Sequence, residues 1–390
     1  MKCLSLILVV LIVSLNSCKG EFFETPVPGS ERFELYLDML DGKSIGLLGN
    51  HTSLVGNTHL VDTLLSRGVS LVKIFSPEHG FRGDKDAGQK VDSKIDPTTG
   101  IPIISLYGTH RKPTVDDFEG IDLLLFDLQD VGARFYTYIS TLQLAMERCA
   151  EMGIKIIILD RPNPNGFFVD GPVLDTLYRS FVGMQPVPVA HGMTVGEYAT
   201  MINKEGWLEN GVICNMEVIP CKNYSHSTLY QLPVKPSPNL PNMTSVYLYP
   251  SLCFFEGTVI SCGRGTSIPF QVFGHPKLIT YPYSFTPLSG PGSLNPPLMD
   301  NLCFGIDLSD ALNTGIVPSG MINLKWLIDS YRAFPDKDKF FNNYFNTLAG
   351  GESLRLQIES GLSAEEIRAS WSNELNTFNK LREKYLLYEK

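Results

Sequence analysis

Four consecutive stretches decide the fold: LLLFD (Leu123–Asp127), polar LQDVGARFYT, amphipathic YISTLQLAMERCAE (Tyr138–Glu151), and KIIILD (Lys155–Asp160). Two short runs that are apolar at nearly every position have both faces buried, and the helix between them supplies the crossover that parallel strands require. The unit is therefore β-α-β. Working outward, the same alternation continues. Ser44–Leu48, Leu71–Phe75 and Ile103–Leu106 read as strands and His59–Arg67 as a helix, all before this unit. A helix from about Thr194 and a strand at Met216–Pro220 follow it. This pattern predicts an α/β fold with a doubly wound, mostly parallel sheet covered by helices on both faces.

The flanks differ in character. Residues 1–17 join Lys2 to an apolar run too short to span a bilayer comfortably, which reads as an export signal. Leu15-Asn16-Ser17-Cys18 is similar to a bacterial lipobox, so Cys18 is expected to carry lipid and become the new N-terminus. Residues 18–30 would then be a polar tether. This predicts an exported lipoprotein held on a membrane by its anchor alone, in the cell envelope and facing the periplasm. The main domain is placed at 31–235, opening with a helix over Glu31–Leu40. Pro233–Pro241 reads as an ordered extended loop because of its fixed-φ prolines. Residues 236–390 are assigned to a smaller α+β domain that closes a cleft. Its expected strands are Leu278–Thr280 and Leu302–Leu308, and its expected helices are Leu324–Phe334, Ser353–Glu359 and Ala364–Leu387.

Composition narrows the function. The chain of 390 residues is 43% hydrophobic and 19% charged, enough for a packed core. A net charge of −9 argues against nucleic acid as a partner. No Gly-x-Gly-x-x-Gly follows the first strand, and Walker, Gly-x-Ser-x-Gly and His-Glu-x-x-His motifs are missing from the sequence, so no cofactor is expected. Seven scattered histidines and the lack of Cys-x-x-Cys give no reason to expect a metal. Cys214 and Cys221 stand at a spacing that allows a bridge, but a chain of this size does not need one and buried free thiols are the simpler reading.

In open α/β sheets ligands bind beyond the carboxyl ends of the strands. Polar loops follow several of them: Asn50 after the first; Ser76, Glu78, His79 and Arg82 after the second; Gln129, Asp130, Arg134 and Tyr136 after Asp127; Arg161 and Asn163 after Asp160. Carboxylates, amides and arginines suit a polyhydroxylated ligand and acid/base work on a glycosidic bond. Glu78 is the leading candidate for the acid, the structural alternative being a helix cap or a pair with Arg82. Asp127 reads as a cap, and Asp160-Arg161 reads equally as a buried ion pair. Farther on, Asn239 lies in the proline loop, and Glu256 and Arg264 stand among glycines that permit close backbone approach.

These residues carry a resemblance. FSPEHGFRG (75–83), DLQDVGARFYTY (127–138), LDRPNP (159–164), SPNLP (237–241), EGT (256–258), GRGT (263–266) and KYLLY (384–388) resemble the hallmark segments of the exo-β-N-acetylmuramidases, formerly DUF1343. The likeness runs from about Gly46 to Tyr388. It implies a Rossmann-like catalytic domain with a smaller C-terminal domain and the site between them. It also implies metal-free removal of terminal, non-reducing N-acetylmuramic acid from peptidoglycan fragments, as in cell-wall turnover. The family's essential glutamate falls on Glu78, and the remaining loop residues are implied as pocket lining.

N-acetylmuramic acid bears a lactyl carboxylate, so a selective pocket needs a cation. Arg82, Arg134, Arg161 and Arg264 are the candidates, with Arg134 and Arg264 preferred. The group opposite Glu78 is left open among Asp130, Glu256 and the substrate's own 2-acetamido oxygen. A non-catalytic muropeptide-binding lipoprotein, or a hydrolase cutting another bond of muropeptides, would use the same loops.

Overall fold

The computed structural model describes residues 24–78, 80–82 and 94–390. The expected signal, Cys18, His79 and the 84–93 stretch lie outside them. The strands in chain order are β1 Ser44–Gly49, β2 Leu54–Val55, β3 Thr58–His59, β4 Ser70–Ser76, β5 Lys94–Ile95, β6 Pro102–Ser105, β7 Leu123–Asp127, β8 Lys155–Leu159, β9 Met216–Ile219, β10 Val272–His275, β11 Tyr283–Phe285 and β12 Cys303–Asp307. The main helices are α1 Leu37–Leu40, α2 Leu60–Ser66, α3 Tyr138–Met152, α4 Val195–Lys204, α5 Met243–Leu252, α6 Lys325–Ala333, α7 Phe345–Ala349, α8 Ser353–Glu359, α9 Ala364–Ser370 and α10 Ser372–Arg382.

The large sheet has the order β5-β6-β4-β1-β7-β8-β9. Every neighbouring pair from β6 to β9 is parallel, and only β5 runs antiparallel at one edge. Alternate side chains serve opposite faces, as a pleat dictates. Leu124, Phe126, Ile156 and Ile158 join the cluster under α3 and α4, whereas Leu123, Leu125, Ile157 and Leu159 join the one under α1 and α2. The local signals agree with these elements. A capping box between Thr194 and Glu197 opens α4, and Gly153 in the left-handed region closes α3 with its N–H on the Cys149 and Ala150 carbonyls.

The smaller unit holds the antiparallel sheet β10-β12-β11 and the late helices. Its core is continuous with that of the large sheet: Phe254, Phe255, Phe273, Phe340 and Ile367 share one cluster with Phe126 and Met146.

Three expectations need correction. Leu278–Thr280 is a turn rather than a strand, because only Leu278 is buried while Ile279 is 72% exposed. The real strand is β10, whose apolar signal is diluted by Gly274 and His275. The helix expected over Ala364–Leu387 breaks at Trp371 into α9 and α10 and ends in a 3-10 turn. Glu31–Leu40 forms two 3-10 turns and the single-turn α1. Cys214 and Cys221 are buried free thiols.

Candidate active site

Because β6, β4, β1, β7 and β8 run parallel, their following loops emerge at one edge of the sheet, and the proline loop and smaller unit lie over that edge. The Tyr136 hydroxyl donates to the Pro236 carbonyl at 2.8 Å. Between the two halves lies a recess of about 60 Å³. Glu78, Tyr136, Thr137 and Tyr138 line it from the large sheet's side, and Ser237, Asn239, Tyr249, Arg264 and Phe270 from the other. A pocket that encloses a small organic ligand measures several hundred Å³, roughly 300 or more. Among the described residues this recess is far smaller than that.

Glu78 owes its position to β4. Ile74, Phe75 and Ser76 are buried, and Pro77 then follows the strand without a backbone donor to prolong it. Glu78 emerges half-buried at the recess. Its charge acts on the hydroxyls of Tyr136, Tyr138 and Tyr344. Burial first, with Glu78 adding to it, holds all three phenols above their ordinary range, so they remain protonated donors.

Arg264 is aimed by the glycines on either side of it. Gly263 and Gly265 have φ of +81° and +79°, and a Cβ on Gly265 would lie 2.6 Å from the Leu288 carbonyl oxygen. The guanidinium sits 5.0 Å from the Phe270 ring centroid, and its Nε is 2.5 Å from Glu256 Oε1. Burial disfavours its charge, but the Glu256 carboxylate more than offsets this.

Other expected site residues serve the scaffold. Arg134 is 0% exposed and donates to the carbonyls of Pro172 and Val187 at 2.8 Å and of Leu348 and Ala349 at 2.9 Å. Its charge is spent on tying the large sheet's loops to α7, so it is not the cation that meets a ligand. Arg161 is a buried counterion of Asp127, at 2.6 and 2.8 Å, not of Asp160. Asp160 instead accepts from Thr194 Oγ1, Tyr388 Oη and the Gly196 N–H. Arg82 is paired with Asp96 at 2.9 Å. Asn50 holds the Tyr138 hydroxyl at 2.7 Å, and Asn163 donates to Met193 O. Gln129 bridges the carbonyls of Asp130 and Pro162, and Ser76 is fully buried.

The two suggested partners of Glu78 are also engaged. Asp130 is 5% exposed and does not line the recess; one oxygen accepts the Gly132 N–H at 2.7 Å, and the other is buried without a partner. Burial, opposed by backbone N–H groups, pushes its carboxyl up to about 7. Glu256 holds Arg264. Of the candidate set, Glu78, Tyr136, Asn239 and Arg264 reach the recess. Tyr249 and Phe270 also line the recess and were missed: Tyr249 stands just before Pro250 in α5, and neither carries a local motif.

An acid at a strand end, faced across a phenol-lined recess by an arginine from a second unit, defines a cleft enzyme suited to proton transfer on a polar, anionic ligand. The chain belongs to the exo-β-N-acetylmuramidase NamZ family: the family's N-terminal model matches residues 45–244 and its C-terminal model matches 247–388. It is 40% identical over 376 residues to the peptidoglycan β-N-acetylmuramidase NamZ of Bacillus subtilis, covering 90% of this chain and 89% of that one. Two crystal structures of DUF1343 family proteins from Bacteroides fragilis are similar as well. One has TM-score 0.88 and 49% identity over 94% of this chain and all of that one; the other has TM-score 0.77 and 29% identity over 93% and 99%.

Proposed function

We propose that this chain is an exo-β-N-acetylmuramidase that hydrolyses the terminal, non-reducing N-acetylmuramic acid of peptidoglycan-derived saccharides. The observation that carries this reading is the position of Glu78, half-buried in a recess whose far wall holds Arg264, in a chain that matches both halves of the family. Glu78 protonates the glycosidic oxygen as the bond breaks. Arg264 receives the lactyl carboxylate. Glu256 engages its Nε, and a guanidinium has four further N–H donors to offer. Tyr136 and Tyr138, held by Pro236 and Asn50, keep the wall rigid. Mass spectrometry of the products tests the reading. Free N-acetylmuramic acid from a muramyl-terminated disaccharide supports it, whereas an intact disaccharide, or one cut at the lactyl ether, refutes it.

Residues 1–18 support a second part of the proposal, that the protein is exported and held on a membrane by lipid on Cys18. Mass spectrometry of the mature N-terminus, and release of a Cys18→Ala variant into the soluble fraction, check it.

A further inference from the structure

A second cavity, of about 670 Å³, runs along the flank of α3. Its apolar floor is formed by Leu144, Phe181, Met184 and Trp207. Gln185 pins this floor by donating to Gln143 Oε1 at 3.0 Å and to the Trp207 carbonyl at 2.8 Å. Two arginines stand at the rim. Arg111 lies over the Phe181 ring at 4.4 Å from its centroid, and Arg179 donates to the neutral Gln185 Oε1 at 3.3 Å. Neither has a carboxylate within salt-bridge distance among the described residues. The cavity's own carboxylates, Glu147 and Glu209, are both taken by Lys112, at 3.2 and 2.7 Å. The site therefore presents an apolar, partly aromatic floor and two uncommitted cations, a combination that suits a carboxylated saccharide.

The cavity's rim and the recess draw on loops that follow neighbouring strands. Arg111 belongs to the loop after β6, and β6 is the sheet neighbour of β4, which carries Glu78. The charges of Glu78 and Arg111 both act on the hydroxyl of Tyr344.

We propose that the α3-flank cavity, with Arg111 and Arg179, binds the carboxylated remainder of the glycan chain on the leaving-group side of the scissile bond. This rests on the muramidase reading. A glycan in which muramyl sugars alternate with neutral ones carries its next carboxylate beyond the first leaving sugar, which suits cations set apart from Glu78.

Kinetics and binding together test the proposal. Wild type and an Arg111→Gln/Arg179→Gln double variant are assayed on a chromogenic β-N-acetylmuramide and on a muramyl-terminated tetrasaccharide. In parallel, the trisaccharide remaining after cleavage, and its methyl ester, are titrated calorimetrically into both proteins. The double variant is expected to lower the ratio of kcat/KM on tetrasaccharide to that on the monosaccharide glycoside about tenfold. Trisaccharide affinity should fall by a similar factor, as it should on esterification with wild type. An unchanged ratio with unchanged trisaccharide affinity overturns the proposal. If wild type cleaves neither substrate, the muramidase reading fails, and the trisaccharide titrations alone decide whether the cavity binds a carboxylated glycan. An Arg111→Glu variant, expected to bind the trisaccharide more weakly still, separates lost charge from lost fold.

Discussion

Arg264 reaches the recess already paired: its Nε lies 2.5 Å from Glu256 Oε1. A cation already paired contributes less to long-range attraction and more to geometric fit, because the carboxylate fixes the guanidinium plane. Replacing Arg264 with Gln should therefore narrow discrimination between β-N-acetylmuramides and β-N-acetylglucosaminides by about 10- to 100-fold, the scale of one charge-assisted hydrogen-bond pair. Matched chromogenic glycosides measure this. An unchanged ratio would place the lactyl carboxylate elsewhere.

Glu256 itself is expected to act through Arg264. Its replacement by Gln should raise KM for muramides several-fold and leave kcat close to wild type. A fall in kcat as deep as that caused by changing Glu78 would instead make Glu256 the water-activating base.

The Asp127–Arg161 pair lies at the carboxyl edge of the sheet with both side chains almost fully buried. Removing one partner leaves an uncompensated charge in the interior, which costs roughly 3–5 kcal/mol. Asp127→Asn should lose about that much in urea unfolding monitored by circular dichroism. A loss below about 1 kcal/mol would mean that solvent reaches the pair.

Asp130 gives a pH signature. Its folded carboxyl is pushed up to about 7, from an ordinary value of 3.8. Between those values the native state holds the proton and the unfolded state does not. The stability linked to Asp130 is therefore complete below about pH 4, falls as pH rises, and is lost once pH passes 7. Asn keeps the acceptor for the Gly132 N–H and puts an amide where the buried oxygen has no partner. In thermal melts, Asp130→Asn should gain stability relative to wild type at pH 8 and gain less at pH 5. Parallel curves across that range would contradict the shift.

Much of the fold was legible because β1, β4, β7 and β8 are short, almost uninterrupted apolar runs, and helices between parallel strands leave little topological choice. The smaller unit was harder to read. β10 includes Gly274 and His275, so the apolar signal pointed to Leu278–Thr280 instead, and α5, with Pro250 inside it, received no assignment. At the site, the strand-end rule led to Glu78 and Tyr136, which line the recess, but could not separate a residue that faces the recess from one that braces the loop. Asn50, Arg134, Arg161 and Asn163 have the composition of a binding site and are consumed by carbonyls, a phenol and Asp127. Arg111 went unnoticed for the converse reason: it follows β6 on a surface loop with no motif around it, and only its place over the Phe181 ring shows what it adjoins.

Glu78 delivers the proton in the proposed reaction, and Glu78→Gln is the decisive variant. The substitution preserves size and hydrogen-bonding reach while removing the acid. With the thermal melt unchanged, kcat on a muramyl-terminated disaccharide should fall by about 10²- to 10⁴-fold, the range for loss of a positioned general acid. Release of N-acetylmuramic acid at the wild-type rate by the folded variant would mean that another group supplies the proton.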